Sequence, residues 1–82
     1  MRLDKYLKVS RIIKRRTIAN EACDAGRVVV NGKIARASYD VKVNDVIELT
    51  LGARTVKARV VSVNEYAKKD EAAMMYEIIE EK

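Results

Sequence analysis

The chain has 82 residues, 35% of them charged, and a net charge of +5 at pH 7, so we expect one small domain over residues 1–82. It contains no histidine, which excludes histidine-based catalytic triads, zinc ligation by imidazole and imidazole acid–base chemistry. No apolar run reaches the ~18 residues of a membrane span, and no apolar block suggests a signal peptide, so we expect a cytoplasmic protein without membrane contact.

The first ten residues, MRLDKYLKVS, predict a short helix. Leu3, Tyr6 and Leu7 recur at the spacing of one helical face, which we expect to be buried. Three cations at steps of three residues would lie along the opposite, solvent-facing side: Arg2, Lys5 and Lys8. Residues 10–13 break this pattern and are predicted to turn the chain.

A second helix is predicted from about Arg16 to Ala25, ending before Gly26 at the position that favours a left-handed glycine. Its buried stripe would consist of Ile18, Ala22 and Ala25. The single cysteine, Cys23, has no partner for an internal disulfide, and on this alanine-rich helix it is predicted to be a small core residue.

Three consecutive cations, Lys14, Arg15 and Arg16, stand at the N-terminal end of this second helix. The free amides at a helix N-terminus carry partial positive charge, so basic residues are normally disfavoured there. A bound phosphate reverses that argument, because both the amides and the cations donate to its oxygens. The arrangement therefore predicts an anion-binding surface.

Two turns and a small sheet are predicted after the second helix. Asn31-Gly32 favours a two-residue hairpin turn between strands at residues 28–30 and 33–35, because both turn positions need positive φ. A further turn is predicted at Asn44-Asp45. Residues 46–51 alternate as a half-buried strand that turns at Gly52, and residues 55–66 return as its partner.

The C-terminal segment, residues 67–82, is rich in helix formers and is predicted to cap the sheet as a helix. Residues 74–80 would equally suit an edge strand, so helix and strand both stay open for residues 69–80. Three neighbouring carboxylates are interpreted as a solvated terminus rather than an acid–base site: Glu77, Glu80 and Glu81. The role of this acidic tail is left open.

The positive charge is concentrated in residues 1–33, which hold nine basic and three acidic residues. Residues 34–82 hold eight basic and nine acidic residues. Such segregation favours a polyanionic partner, which in the cytosol is usually nucleic acid. The predicted RNA-binding residues are Arg2, Lys5, Lys8, Arg11, Lys14, Arg15, Arg16, Arg27 and Lys33. The predicted structural turns use Gly26, Asn31, Gly32, Asn44 and Asp45.

Features of the sequence argue against catalysis and against reading of single strands. There is no phosphate-binding glycine-rich loop, metal-spaced cysteine cluster or nucleophile elbow, so we expect no enzyme activity, cofactor, metal or small-molecule substrate. Tyr6 is predicted to be buried and Tyr39, Tyr66 and Tyr76 are scattered. This favours recognition of a folded RNA by shape and backbone over stacking of splayed bases.

The segments RLDKYLKVSRIIKRRTIANEACDAGRVVVNG and YDVKVNDVIEL resemble the small RNA-binding domain named after ribosomal protein S4. The resemblance covers a core motif at residues 2–51, with a strand and acidic tail at residues 52–82. It implies an α+β fold in which two short crossed N-terminal helices pack on a small, strongly bent, mainly antiparallel sheet. A short C-terminal helix or edge strand would complete it.

The resemblance also implies that structured RNA binds to the helical face. By position, Arg2 and Arg16 match the family's RNA-contacting arginines. Asp4 matches the family's first-helix aspartate, for which a structural role is as well supported as RNA contact. Two positions depart from the family pattern. Arg15 stands where the family often has Ser or Thr, the residue types that cap a helix, and Val43 begins a turn that is usually Pro-Gly-Asp.

Among free-standing members, the compact length and acidic tail resemble the bacterial ribosome-quality-control group. They differ from heat-shock protein fifteen, which carries a long basic extension. The resemblance implies binding to obstructed large ribosomal subunits, with rRNA and peptidyl-tRNA as contacts, and assistance to the RqcH factor in adding C-terminal alanine tails. From the composition we expect no membrane partner, and we expect a monomer.

Two alternatives remain from the sequence. The chain would also suit a detached RNA-targeting subunit of an RNA-modifying enzyme, since this domain often accompanies such enzymes. A DNA-binding regulator is less favoured, because the second helix lacks the outward row of Asn, Gln and Arg that reads a major groove.

Overall fold

The computed structural model describes residues 1–81, which form three helices and five strands. The helices are α1 (Leu3–Val9), α2 (Arg16–Asp24) and α3 (Lys69–Ala72). The strands are β1 (Val28–Val30), β2 (Lys33–Ile34), β3 (Val46–Leu51), β4 (Arg54–Val60) and β5 (Tyr76–Glu81). They form one antiparallel sheet in the order β2-β1-β3-β4-β5, which confirms the expected α+β class. Over residues 1–81, no helix is both long and apolar enough to span a membrane.

Helix α1 buries the face that its spacing predicts. Leu3, Tyr6 and Leu7 are all fully buried. The Tyr6 hydroxyl donates a hydrogen bond of 2.7 Å to the carbonyl oxygen of Met75, and burial raises the pKa of Tyr6. This bond ties α1 to the segment just before β5, so the first and last parts of the described chain share one core.

Helix α2 begins at Arg16 as predicted, and Ala22 is buried as predicted, but the other two residues of the predicted buried stripe are exposed. Ile18 is 46% exposed and Ala25, the C-cap residue, is also exposed. The residues that face the core are Ala19, Ala22 and Cys23. Small side chains let α2 pack closely on α1, and Asp4 of α1 fixes the rotation by accepting hydrogen bonds from Arg16 and Asn20.

Cys23 is the small core residue that the sequence predicts. It is 1% exposed, and burial, with smaller contributions from the charges of Asp4 and Asp24, raises its pKa to about 11. At neutral pH the thiol is therefore protonated and shielded, which is typical of a structural cysteine.

The two local turns have the backbone geometry that their residues favour. Asn31 and Gly32 have φ of 53° and 83°, as a two-residue hairpin turn requires. Strand β2 ends at Ile34, one residue earlier than predicted. Asn44 has φ of 78°, a left-handed conformation that asparagine tolerates better than most residues.

The C-terminal segment resolves into both of the predicted alternatives. The helix α3 is limited to four residues, and the strand β5 pairs with β4 at the sheet edge. Met75 is 1% exposed, and its carbonyl oxygen accepts hydrogen bonds from the amides of Val61 and Ser62. Pairing with β4 outweighs the weak helical preference of residues 76–81, because propensity is a small energy compared with tertiary contacts.

Asp45 joins the turns of the sheet to one another. Its carboxylate accepts hydrogen bonds from the Asn31 side chain at 3.0 Å, the Tyr39 hydroxyl at 2.9 Å and the Lys42 amide at 3.0 Å. Burial raises the pKa of Asp45, but these hydrogen bonds outweigh burial and hold it below the ordinary value. The carboxylate is thus a structural acceptor that holds the hairpin turn against the start of β3.

Replacing Asp45 with alanine is expected to lower the free energy of unfolding by about 2–4 kcal/mol, because three donors lose a charged acceptor. Urea unfolding at pH 7 measures this change. Asp40→Ala is the matched control, since it removes a carboxylate whose side chain is 72% exposed, and it should cost less than about 1 kcal/mol. Equal losses in the two variants would contradict a specific role for Asp45.

Candidate nucleic-acid interface

The carboxylate of Asp4 gathers the donors of α1 and α2 around one point. Asp4 is 2% exposed. One oxygen accepts from the Lys5 amide at 2.8 Å and from Nε of Arg2 at 3.1 Å. The other accepts from Asn20 at 3.2 Å, from Nη2 of Arg2 at 3.4 Å and from Nε of Arg16 at 3.5 Å. We call Arg2, Asp4, Arg16 and Asn20 the Asp4 cluster.

The Asp4 cluster holds a buried negative charge beneath two accessible positive ones. Burial raises the pKa of Asp4, but hydrogen bonds from Asn20, Arg2 and the Lys5 amide, with the charge of Arg16, outweigh burial and lower it overall. Asp4 is therefore ionised at neutral pH. The side chains of Arg2 and Arg16 remain 52% and 50% exposed, so each guanidinium has donors left for an external anion.

The position of each cluster residue follows from the helix boundaries. Arg2 is the N-cap of α1, Arg16 is the first residue of α2, and Asn20 lies one turn further along the same face. Arg15 is the N-cap of α2 and makes no side-chain capping bond, and the first turn contains no acidic residue. Thr17, whose residue type favours the N-cap position, lies inside the first turn instead. No N-cap side chain therefore accepts a hydrogen bond from the first-turn amides of α2, and the half-exposed Arg16 lies in that same turn.

A second set of cations lines a groove of about 430 Å³. Its lining residues, which we call the basic groove, are Lys8, Val9, Arg11, Lys14, Glu65 and Ala67. Arg11 has φ of 63°, in the left-handed region that only a few per cent of non-glycine residues adopt. It directly follows Ser10, the C-cap of α1. Strain of this kind concentrates at functional sites.

Lys5 links the Asp4 cluster to the basic groove. It lies about one turn from both Arg2 and Lys8 along α1. Its ammonium nitrogen is 3.8 Å from a carboxylate oxygen of Glu65 and 6.0 Å from the ring centroid of Tyr66. Glu65 is the acidic member of the basic groove, so a carboxylate already occupies part of an otherwise cationic surface.

The structure does not join all nine predicted cations. Lys33 lines a different cavity of about 610 Å³, together with Ile34, Arg36 and Tyr39. Arg27 is exposed between α2 and β1, and its carbonyl oxygen accepts from the Thr50 amide at 3.1 Å. Among the described residues, neither cation contacts the Asp4 cluster. The nine predicted residues therefore separate into Arg2 and Arg16 of the Asp4 cluster, Lys8, Arg11 and Lys14 of the basic groove, the linking Lys5, the N-cap Arg15, and the outlying Arg27 and Lys33.

Sequence reasoning missed two residues at these surfaces. Asn20 is four residues after Arg16, and that spacing on a helix was the available signal for a shared face. Arg36 lies just beyond the predicted hairpin, where no pattern distinguished it from other surface cations. Its place beside Lys33 depends on how the chain after β2 folds back.

Comparison with known proteins finds a matching family model and several similar proteins. The family model described as S4 domain matches residues 1–47. A Streptococcus pneumoniae protein named RQC P-site tRNA stabilizing factor is 56% identical over 81 residues, covering 99% of this chain and 92% of that protein. Escherichia coli heat shock protein 15 is 34% identical over 79 residues, covering 94% of this chain and 59% of that protein.

A solved structure shares the fold as well. Heat shock protein 15 from Vibrio cholerae, described as trimeric, superposes with a TM-score of 0.87 and 28% sequence identity. The match covers 95% of this chain and 80% of that chain. The region of family similarity, residues 1–47, includes the whole Asp4 cluster and all the cations of the basic groove.

Proposed function

Since the chain belongs to the S4 domain family, we propose that it is a non-catalytic RNA-binding factor of ribosome-associated quality control. It binds rRNA and peptidyl-tRNA on obstructed large ribosomal subunits and assists RqcH in C-terminal alanine tailing. The observation that carries the proposal is the Asp4 cluster, in which a buried carboxylate holds two half-exposed arginines beside an N-terminus without a side-chain cap. The name of the Streptococcus pneumoniae relative supports tRNA as a ligand and ribosome-associated quality control as the pathway.

The cluster favours RNA backbone over base edges. Arg2 and Arg16 each retain guanidinium donors, and guanidinium groups pair with phosphate in fixed geometry. Because Asp4 already holds both side chains, binding a phosphate costs less side-chain entropy than it would for free arginines. Lys5 extends the surface toward the basic groove, which suits a backbone that runs along α1.

The proposal also states the oligomeric state of the protein and its place in the cell. Residues 1–82 act as a single RNA-binding domain, and the protein acts as a monomer in the cytoplasm. The Asp4 cluster is complete within one chain, so RNA binding at this surface needs no residue from a second copy. The absence of histidine supports a non-catalytic role.

Co-sedimentation tests the proposed function. Purified protein is mixed with large ribosomal subunits that carry peptidyl-tRNA and, separately, with vacant large subunits and with small subunits. We expect the strongest retention on the tRNA-carrying large subunits. Equal retention on small subunits, or co-purification with a catalytic chain and no ribosomal enrichment, would contradict the proposal.

Replacing Glu65 with glutamine is expected to tighten binding to an rRNA hairpin by about threefold to tenfold, because a carboxylate beside Lys5 no longer competes with phosphate. Fluorescence anisotropy over a series of salt concentrations measures this change. The gain should shrink as salt rises. Glu48→Gln is the matched control, since Glu48 is an exposed residue of β3 outside the basic groove. A loss of affinity in Glu65→Gln would show that Glu65 organises the groove rather than competing in it.

A further inference from the structure

We propose that Tyr66 stacks on one unpaired nucleotide of the bound RNA, with the flanking phosphates in the basic groove. This inference rests on the proposed function and adds to it a class of ligand that backbone binding alone does not imply. The sequence pattern predicted an interface without stacking platforms, and the structure changes that expectation at a single residue.

Tyr66 is the tyrosine that the described fold leaves open to solvent. Its exposed fraction is 85%. Tyr6 is buried in the core, the Tyr39 hydroxyl donates to Asp45, and Tyr76 pairs with Val60 in the sheet. A ring this exposed adds little to core packing, and an exposed aromatic beside cations is typical of single-stranded nucleic-acid sites.

The neighbours of Tyr66 place it at the edge of the basic groove. Glu65 and Ala67, on either side of it in the chain, both line the groove. The Tyr66 amide donates a hydrogen bond of 3.0 Å to the side-chain oxygen of Asn64, which fixes the local turn. The ring centroid lies 6.0 Å from the Lys5 ammonium nitrogen, within the range of a cation–π contact.

This arrangement matches the parts of one nucleotide. The phenol ring offers a flat face to a base, while Lys8, Arg11 and Lys14 offer charge to the phosphates on either side. Because Tyr66 stands alone, the geometry suits a single extruded base within a folded RNA rather than a run of bases. Every base has a π-face, so the site selects an unpaired nucleotide without selecting its identity.

Two RNA hairpins with the same paired stem test the inference. One carries a single bulged 2-aminopurine nucleotide, and the other is fully paired. We expect Tyr66→Ala to bind the bulged hairpin about tenfold more weakly than the unchanged protein, with 2-aminopurine quenching lost. Tyr66→Phe should keep both affinity and quenching. Met74→Ala is the control, because it removes a side chain of a residue that is 72% exposed and outside the basic groove.

The outcomes separate this inference from the proposed function. If the unchanged protein binds both hairpins equally and Tyr66→Ala has no effect, while Arg16→Ala weakens both, the stacking role is wrong and backbone binding stands. If the unchanged protein binds neither hairpin, both proposals fail. If Tyr66→Ala also lowers the unfolding midpoint, the residue is structural and the inference is overturned.

Discussion

Replacing Arg16 with alanine is expected to weaken binding to a large-subunit rRNA hairpin at least tenfold, with the fold retained. A guanidinium–phosphate contact is worth roughly 1.5–3 kcal/mol because it is charge-assisted. The slope of log affinity against log salt concentration should fall in magnitude by about 1, since one phosphate contact is lost. The Arg16 side chain is 50% exposed and its bond to Asp4 is long, at 3.5 Å, so unfolding should change by less than about 1 kcal/mol.

The matched control for Arg16→Ala is Lys57→Ala. It also removes one positive charge, but Lys57 lies on β4 opposite Glu48 and Glu80, outside the Asp4 cluster and the basic groove. Anisotropy titrations with both variants at three salt concentrations, together with urea unfolding, make the comparison. Equal weakening in both variants would show that net charge alone drives binding. Parallel losses of stability and affinity in Arg16→Ala would show that Arg16 is a structural residue.

Replacing Asp4 with asparagine is expected to weaken RNA binding although it makes the protein more positive. A simple electrostatic argument predicts tighter binding, because one negative charge is removed. The cluster geometry predicts the opposite, because asparagine keeps only one neutral acceptor oxygen and puts an NH2 donor where the second carboxylate oxygen faces the arginines, so Arg2 and Arg16 are no longer held in place. Asp4 is therefore a positioning residue, and the sign of the change in affinity separates the two accounts.

The same substitution should lower the free energy of unfolding by about 2 kcal/mol at pH 7, because donors around a buried site lose a charged acceptor. The folded-state pKa of Asp4 is depressed, so its stabilisation is fully present above the ordinary value of 3.8. It is lost as pH falls through the folded pKa. Urea unfolding of both proteins between pH 7 and pH 2 should therefore give curves that converge at the acid end. If the two free energies of unfolding differed by the same amount at every pH, Asp4 would not be the ionised, stabilising carboxylate described above.

Local features of the fold were predictable because they depend on neighbouring residues. The hairpin at Asn31 and Gly32 follows from the positive φ that both residues accept. Helix α1 follows from the spacing of Leu3, Tyr6 and Leu7. In each case a short pattern is enough to predict the element, although contacts with distant residues stabilise it.

Features that depend on distant contacts were not predictable in the same way. The rotation of α2 placed Ala19 in the core and Ile18 in solvent, because Asp4 accepts bonds from residues twelve and sixteen positions later. The C-terminal strand depends on the open edge of β4. The cations of the candidate interface were predicted from the sequence, but only the packing of α1 on α2 shows that Asp4 holds Arg2 and Arg16 together.

The most direct test of the account is ultraviolet crosslinking of the protein to RNA in living cells, followed by sequencing of the attached RNA. We expect enrichment of large-subunit rRNA and tRNA, with recovery strongly reduced in Arg16→Ala and unchanged in Lys57→Ala. Crosslinks spread evenly over cellular RNA, or equal recovery from the Arg16→Ala protein, would contradict the claim that the Asp4 cluster forms the RNA-binding surface.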